Sequence, residues 1–162
     1  MVQTALGDDV DRCLDQLIAS VHESDCTLAT AESLTGGQLA AAISAAPEAG
    51  DWYRGGIVAY HPEVKHSLLG SPPGPVVTPQ TAAAMAHSAA RLFGARYTVA
   101  LTGVGGPVSV EGKPPGTVYI ATFEIGHAPV IQHYRFDGDP VKVMERTICA
   151  ALQALTERIK TK

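Results

Sequence analysis

Short apolar segments alternate with longer helical segments along this chain. Residues 26–31 (CTLATA) are apolar and rich in threonine, which is typical of a buried strand. A sharp turn through SLTGG follows, and it leads directly into an alanine-rich helical segment. Because a strand, a tight turn and a helix in this order form the repeating unit of α/β sheets, the pattern predicts an α/β fold.

Segments on either side of this unit extend the pattern. A helix with an apolar stripe precedes it, and either Asp8 or Asp9 is the predicted N-cap. A second strand is predicted at residues 53–60, where Gly55 and Gly56 suggest a bulge or a close backbone approach. Three more helices are predicted to begin at prolines in the first turn, which are Pro62, Pro79 and Pro140.

The end of the chain contains a different strand arrangement. A buried strand is predicted at residues 97–102, and two later strands, at 116–125 and 129–136, are separated by a turn near Gly126-His127. The later pair is predicted to form an antiparallel hairpin in the same sheet as the parallel strand–helix units. We therefore predict a three-layer α/β/α sandwich with a mixed sheet, in one domain over residues 1–162 with a core at about 9–160.

Composition and charge exclude several classes of partner. The chain has 12 Lys+Arg against 16 Asp+Glu, a formal net charge of −4 and no basic cluster, so we expect neither nucleic-acid nor anionic-membrane binding. No signal peptide and no run of about 20 apolar residues is found, which predicts a cytoplasmic protein. Cys13, Cys26 and Cys149 are expected to be reduced and mostly buried thiols. Homo-oligomerisation is expected on general grounds.

The segment AESLTGG contains the first candidate site. Ser33 falls where the buried strand ends, and Gly36 and Gly37 allow the backbone to bend closely around a ligand. Free N–H groups at the following helix start could stabilise an oxyanion or hold a phosphate. The local pattern alone favours a structural cap at Ser33 or Thr35 over a functional role, and Glu32 is either a buried carboxylate or a surface residue.

A nucleophilic serine needs a base, and the chain contains no GxSxG motif, no SxxK motif and no evident His–Asp partner. Lys65 is a candidate because it follows the end of the second strand, and Tyr60 could relay a proton or orient its amine. A lysine acts as a base only when neutral, which requires a lowered pKa. Solvated surface lysines are far more common, so that alternative stays open.

The segment TGVGGP, residues 102–107, also follows a strand. If that strand is parallel to the first one, this loop and Ser33 lie at the same edge of the sheet. It matches neither GxGxxG nor a P-loop, so a ligand-binding loop and a plain long turn are equally favoured. The six histidines show no HExxH pattern, and no metal site is expected.

Four ordered motifs, AESLTGG, YHPEVK, TGVGGP and GKPPGTVYIA, resemble the C-terminal domain family of competence-damage-inducible protein A over roughly residues 10–158. The resemblance implies hydrolysis of the carboxamide of nicotinamide mononucleotide, which gives nicotinic acid mononucleotide and ammonia without a metal or other cofactor. In that mechanism Ser33 is the nucleophile, Lys65 accepts its proton and Tyr60 assists. We therefore expect substrate contacts at Thr35, Gly36, Gly37, Thr102, Gly103, Gly105 and Gly106, with Arg146 as a substitute for an arginine of the family pattern.

Departures from the family pattern are concentrated near these motifs. His61-Pro62 replaces Ser-Asn, and two positions where the pattern has arginine are Pro140 and Met144 here. The phosphate would then depend on the loop at residues 102–106 or on Arg146. A non-catalytic nucleotide-binding or partner module of the same fold is the alternative function. Many members carry a separate N-terminal domain, so we expect a stand-alone version or one that partners with such a domain.

Overall fold

The structure is a computed structural model that describes residues 1–161; residue 162, the last of the predicted domain, lies outside the described residues. Helices and strands alternate along this range. Their order is α1 (Asp8–Ser24), β1 (Leu28–Glu32), α2 (Gln38–Ser44), α3 (Ala49–Trp52), β2 (Tyr53–Val58), α4 (Pro62–Ser67), α5 (Pro79–Phe93), β3 (Tyr97–Gly103), β4 (Thr117–Glu124), β5 (Val130–Arg135) and α6 (Pro140–Lys160).

The five strands form one mixed sheet in the order β2-β1-β3-β4-β5. β1 is parallel to β2 and β3, whereas β3 with β4 and β4 with β5 are antiparallel pairs. Helices α1 and α6 pack together on one face, and α5 covers the other. The predicted α/β/α sandwich with parallel units and a late antiparallel hairpin is therefore confirmed.

The two faces of the sheet are packed differently. Leucine and isoleucine side chains such as Leu17 and Leu152 fill the layer below α1 and α6. The α5 layer is formed mainly by alanines with Met85 among them, so the backbone of α5 lies close to the sheet. Both layers are buried, and together they fix the strand ends that carry the candidate site.

Several local predictions are confirmed. The first-turn prolines begin α4, α5 and α6, and the side chains of His61, Thr78 and Asp139 cap these helices. Near Gly55 the register between β1 and β2 shifts, which is the predicted bulge. At Gly56 any side chain would collide with the phenol oxygen of Tyr53, 2.6 Å from the Cβ position, so the close approach is real as well.

Other local predictions are wrong. Gly7, not Asp8 or Asp9, is the N-cap of α1, because both carboxylates lie inside the first helical turn. The short helix α3 was not predicted. No helix within residues 1–161 is long and apolar enough to cross a lipid bilayer.

The cysteine prediction also needs correction. Cys13 of α1 and Cys149 of α6 form a disulfide, and Cys26 is buried outside it. The two paired residues are separated by 136 positions, but packing of α1 against α6 brings their Cα atoms to 5.8 Å. Their spacing in the sequence could not indicate this contact.

Candidate active site

Parallel strands bring the two predicted motifs to one edge of the sheet. β1 and β3 are adjacent and parallel, so Ser33, directly after β1, and Gly103, at the end of β3, lie at their carboxyl ends. A pocket of about 490 Å³ at this edge contains both residues together with Tyr60 and Lys65. Two larger hollows, of about 660 and 750 Å³, are lined by neither Ser33 nor Lys65.

Ser33 presents a hydroxyl group to this pocket. The residue is only 5% exposed, yet its Oγ makes no hydrogen bond to any protein atom within residues 1–161. A serine that capped α2 would use this oxygen to accept a backbone N–H, and the structure records no such bond. The Ser33 oxygen therefore remains available to react with, or bind, a molecule in the pocket.

Lys65 is the buried cation of the pocket. Only 3% of the residue is exposed, so the expectation of a solvated surface lysine does not hold. Burial lowers the pKa of Lys65, and the negative charge of Glu111 opposes this effect. The Lys65 amine consequently loses its proton more readily than a surface lysine, which is the condition that a lysine base requires.

Tyr60 contacts Lys65 through its backbone. The Lys65 Nζ donates a hydrogen bond to the carbonyl oxygen of Tyr60 at 3.3 Å. The Tyr60 side chain is 71% exposed at the rim, and its hydroxyl makes no hydrogen bond within the described part of the chain. The residue thus positions the amine by its carbonyl group, while its ring borders the pocket entrance.

Glu32 is a residue whose role the sequence left open. Its side chain is fully buried and accepts hydrogen bonds from the Thr35 hydroxyl at 2.6 Å and from the N–H groups of Leu39 and Ala40 at 2.9 Å. The carboxylate therefore ties the turn that carries Ser33 to the first turn of α2. Thr35 serves this anchor, and it does not line the pocket.

The same anchor decides which backbone donors can face a substrate. Because Glu32 occupies the N–H groups of Leu39 and Ala40, these cannot hold an oxyanion. The N–H of Leu34 donates to no acceptor among residues 1–161, and Leu34 lines the pocket directly after Ser33. Leu34 therefore offers a backbone donor for an oxyanion directly after Ser33.

The predicted loop residues fall into two groups. Gly103, Gly105 and Gly106 line the pocket, whereas Gly36 and Gly37 shape the turn after Ser33 without lining it. The hydroxyl of Thr102 is buried and donates to the Val76 carbonyl at 2.9 Å, which fixes the neighbouring wall. A side chain at position 103 would collide with backbone, since its Cβ would lie 2.6 Å from the Thr117 oxygen.

Glu111 is a pocket residue that sequence reasoning missed. Its two carboxylate oxygens accept the N–H groups of Val76 and Val77 at 2.8 and 2.9 Å, which binds the long glycine- and proline-rich loop to the opposite wall. Its charge also acts on Lys65. Nothing in the sequence around Glu111 indicates this pairing, because the partners are 34 and 35 positions away.

Arg146 lies outside the pocket. Its guanidinium donates to the Asp137 carbonyl at 2.9 Å and borders a different hollow, near the disulfide. Val141 and Met144 of α6 face the Ser33 pocket. Arg146 lies two residues beyond Met144, which places it about 200° further around the helix axis and on another face. The structure therefore does not bring Arg146 together with Ser33.

Residues 1–161 contain no group of three or more His, Cys, Asp or Glu side chains able to hold a metal ion.

Fold and pocket together define a class: a three-layer α/β domain with a mixed sheet, in which a serine and a buried lysine share a pocket at the strand ends. Comparison with known proteins then identifies the family. The family model of the CinA C-terminal domain matches residues 11–159, and the chain belongs to this family.

Relatives and solved structures agree with this assignment. A CinA-like protein from Frankia casuarinae is 38% identical over 160 residues, which cover 93% of this chain and 37% of the relative. A CinA superfamily structure from Escherichia coli has 32% identity and a TM-score of 0.87, and covers 96% of this chain and 94% of that one. A competence or damage-inducible protein from Enterobacter asburiae superimposes with a TM-score of 0.89 at 28% identity, covering 95% and 100% of the two chains. This chain spans 36%, 38% and 37% of the length of three curated relatives.

Proposed function

We propose that this chain is an amidohydrolase that acts on the carboxamide of nicotinamide mononucleotide and releases nicotinic acid mononucleotide and ammonia. One observation carries the proposal: a serine hydroxyl without a protein partner and a buried lysine line the same pocket. Serine with a deprotonated lysine is a known combination for acyl transfer. The family resemblance and family membership support the choice of substrate.

The chemistry runs in two halves. In the first half, Lys65 takes the proton of Ser33 as Oγ attacks the carboxamide carbon, and the N–H of Leu34 stabilises the oxyanion. The C–N bond then breaks, Lys65 returns its proton to the departing nitrogen, and ammonia leaves an ester on Ser33. In the second half, a water molecule gives a proton to Lys65 and attacks the ester carbon. The carboxylic acid is released, and Ser33 recovers its proton.

Three neighbours support this chemistry without taking part in bond changes. The Tyr60 carbonyl orients the Lys65 amine, Glu32 fixes the turn that carries Ser33, and Glu111 fixes the wall opposite. Each acts through a hydrogen bond that the unbound protein already contains. Such preorganisation lowers the cost of aligning the nucleophile and base with the substrate.

The alternative is a non-catalytic nucleotide-binding or partner module. Two observations favour it: Pro140 and Met144, where the family pattern has arginine, both line the pocket. Fold alone does not separate a binding module from an enzyme. Retention of Ser33, Tyr60 and Lys65 in the pocket supports the enzyme.

An ammonia-release assay tests the proposal. The purified protein is mixed with nicotinamide mononucleotide in the presence of a chelator, beside the Ser33→Ala and Lys65→Ala variants. The expected result is chelator-resistant release that falls by about 10²- to 10⁴-fold in each variant. Matched controls are Ser44→Ala and Lys160→Ala, two exposed residues that should retain activity. No release from a well-folded wild-type protein would favour the binding module.

A further inference from the structure

His61 holds the first turn of the helix that carries Lys65. Its Nδ1 accepts the N–H of Glu63 at 3.2 Å, which makes His61 the N-cap of α4. Its carbonyl oxygen accepts the N–H groups of Val64 and Lys65 at 3.1 and 3.4 Å. Since Pro62 has no N–H, every backbone donor from residue 62 to residue 65 is bonded to His61.

Lys65 is thus held at two points by consecutive residues. Its backbone N–H is bonded to His61, and its Nζ donates to the carbonyl oxygen of Tyr60. The helix α4 has only six residues, and a helix of this length depends on its cap and its packing. His61 is exposed and does not line the Ser33 pocket, so it acts through Lys65 and not on the substrate.

The His61 cap requires one protonation state of the ring. A neutral imidazole has one nitrogen that accepts a hydrogen bond, whereas both nitrogens of an imidazolium are donors. A proton on Nδ1 therefore leaves the Glu63 N–H without its acceptor, and it adds positive charge at a helix N-terminus, where the backbone dipoles disfavour it. Histidine side chains change charge between about pH 5 and 8.

The charged groups around His61 do not replace this cap. His61 forms no ion pair with any carboxylate in residues 1–161. His66 is a second histidine on α4, and its Nδ1 lies 2.9 Å from the Ser71 Oγ. The titratable side chains on α4 and on the pocket walls beside it are Tyr60, Glu63, Lys65, His66 and Glu111.

We propose that His61 is a positioning residue for Lys65 whose cap opens when the imidazole is protonated, an inference that rests on the proposed amidohydrolase function. Acidification then lowers activity in two ways, because Lys65 gains a proton and α4 loses the bond that fixes its first turn. The family pattern has serine at position 61. A serine hydroxyl accepts the same N–H without titrating in this range, so the pH response belongs to the histidine of this chain.

A pH series with three proteins tests the proposal. The kcat/KM for nicotinamide mononucleotide is measured from about pH 5.5 to 8.5 for wild type, His61→Ser and His61→Ala. Dividing the wild-type value by that of His61→Ser cancels the ionisations of Lys65 and His66, which both proteins share. This ratio should be about 1 at the alkaline end and fall about fivefold at the acid end. His61→Ala has no cap, so its kcat/KM should be about fivefold below that of His61→Ser at every pH.

A matched histidine variant provides the control. His22→Ser removes an exposed imidazole of α1 outside the Ser33 pocket, and its kcat/KM relative to wild type should be the same at every pH. A constant ratio of wild type to His61→Ser across the series overturns the inference. Equal activity of His61→Ala and His61→Ser at every pH overturns it as well.

Amide NMR of the unbound protein distinguishes this inference from the proposed function. As pH falls from about 8 to 5, the Glu63 amide proton of wild type should move upfield, towards the position of an unbonded amide, while that of His61→Ser stays in place. This pattern in a protein that releases no ammonia retains the cap and contradicts the amidohydrolase. Ammonia release without this pattern retains the amidohydrolase and contradicts the cap.

Discussion

The Lys65 Nζ lies 3.3 Å from the Tyr60 carbonyl oxygen, and this is the only hydrogen bond of the amine within residues 1–161. A protonated lysine has three donors, so burial with a single acceptor disfavours the charged form. The carbonyl also fixes the direction of the amine. Tyr60 and Lys65 are therefore linked through the Tyr60 backbone carbonyl and not through its exposed phenol.

The first prediction concerns the pH dependence of turnover. Because Lys65 must be neutral to accept the Ser33 proton, kcat/KM should rise with pH through the pKa of Lys65. Burial places this midpoint below the usual lysine value of 10.5. The measurement is a kcat/KM profile from about pH 6 to 11, and a profile that falls across this range would argue against a lysine base.

The second prediction concerns Glu111. Its negative charge raises the pKa of Lys65, so Glu111→Gln should move the midpoint of the kcat/KM profile to lower pH. Glu157→Gln removes a charge from an exposed position outside the pocket and should leave the midpoint in place. If the midpoint of the kcat/KM profile is unchanged or higher in Glu111→Gln, the carboxylate does not act on Lys65.

The third prediction concerns the Glu32 anchor. Glu32→Gln replaces one carboxylate oxygen by an amide NH₂ facing a donor, which should cost about 1–3 kcal/mol in the free energy of unfolding. The kcat should also fall, because the turn that carries Ser33 loses a support. Denaturant titration and steady-state kinetics measure the two effects. Glu23→Gln, at an exposed position of α1, is the control, and equal behaviour of both variants would contradict the anchor.

The fourth prediction concerns packing between β3 and β4. Gly103→Ala places a Cβ 2.6 Å from the Thr117 oxygen and 2.9 Å from the Val118 Cγ2, so the strands must move apart. The expected loss of stability is about 1–3 kcal/mol, measured by denaturant titration. Gly50→Ala has no neighbour within 4 Å and should be close to neutral. A Gly103→Ala protein as stable as wild type would contradict this tight approach.

Local patterns predicted much of the fold. Proline with a capping residue marked the starts of α4, α5 and α6, since both signals act within one helical turn. The apolar segments predicted β1 and β3. Because these strands are parallel, Ser33 and Gly103 lie at the same carboxyl-terminal edge of the sheet. The candidate nucleophile and base were predicted for the same reason: each immediately follows a strand end or a helix start that the sequence marks.

Long-range contacts could not be predicted. The pairing of Glu111 with Val76 and Val77, and that of Cys13 with Cys149, depend on how distant elements pack. The position of Arg146 depends on the rotation of α6 against the sheet, which its apolar spacing did not define closely enough. The hydrophobic pattern of a sequence indicates which residues are buried, but it does not indicate which residues they contact.

A hydroxylamine partition experiment tests whether the reaction proceeds through an ester on Ser33. Hydroxylamine competes with water for an ester on Ser33, so turnover of nicotinamide mononucleotide should yield the hydroxamate as well as the acid. Ser33→Ala should yield neither product. Sustained ammonia release that gives only the acid at every hydroxylamine concentration, or hydroxamate formation that survives Ser33→Ala, would contradict acyl transfer through Ser33.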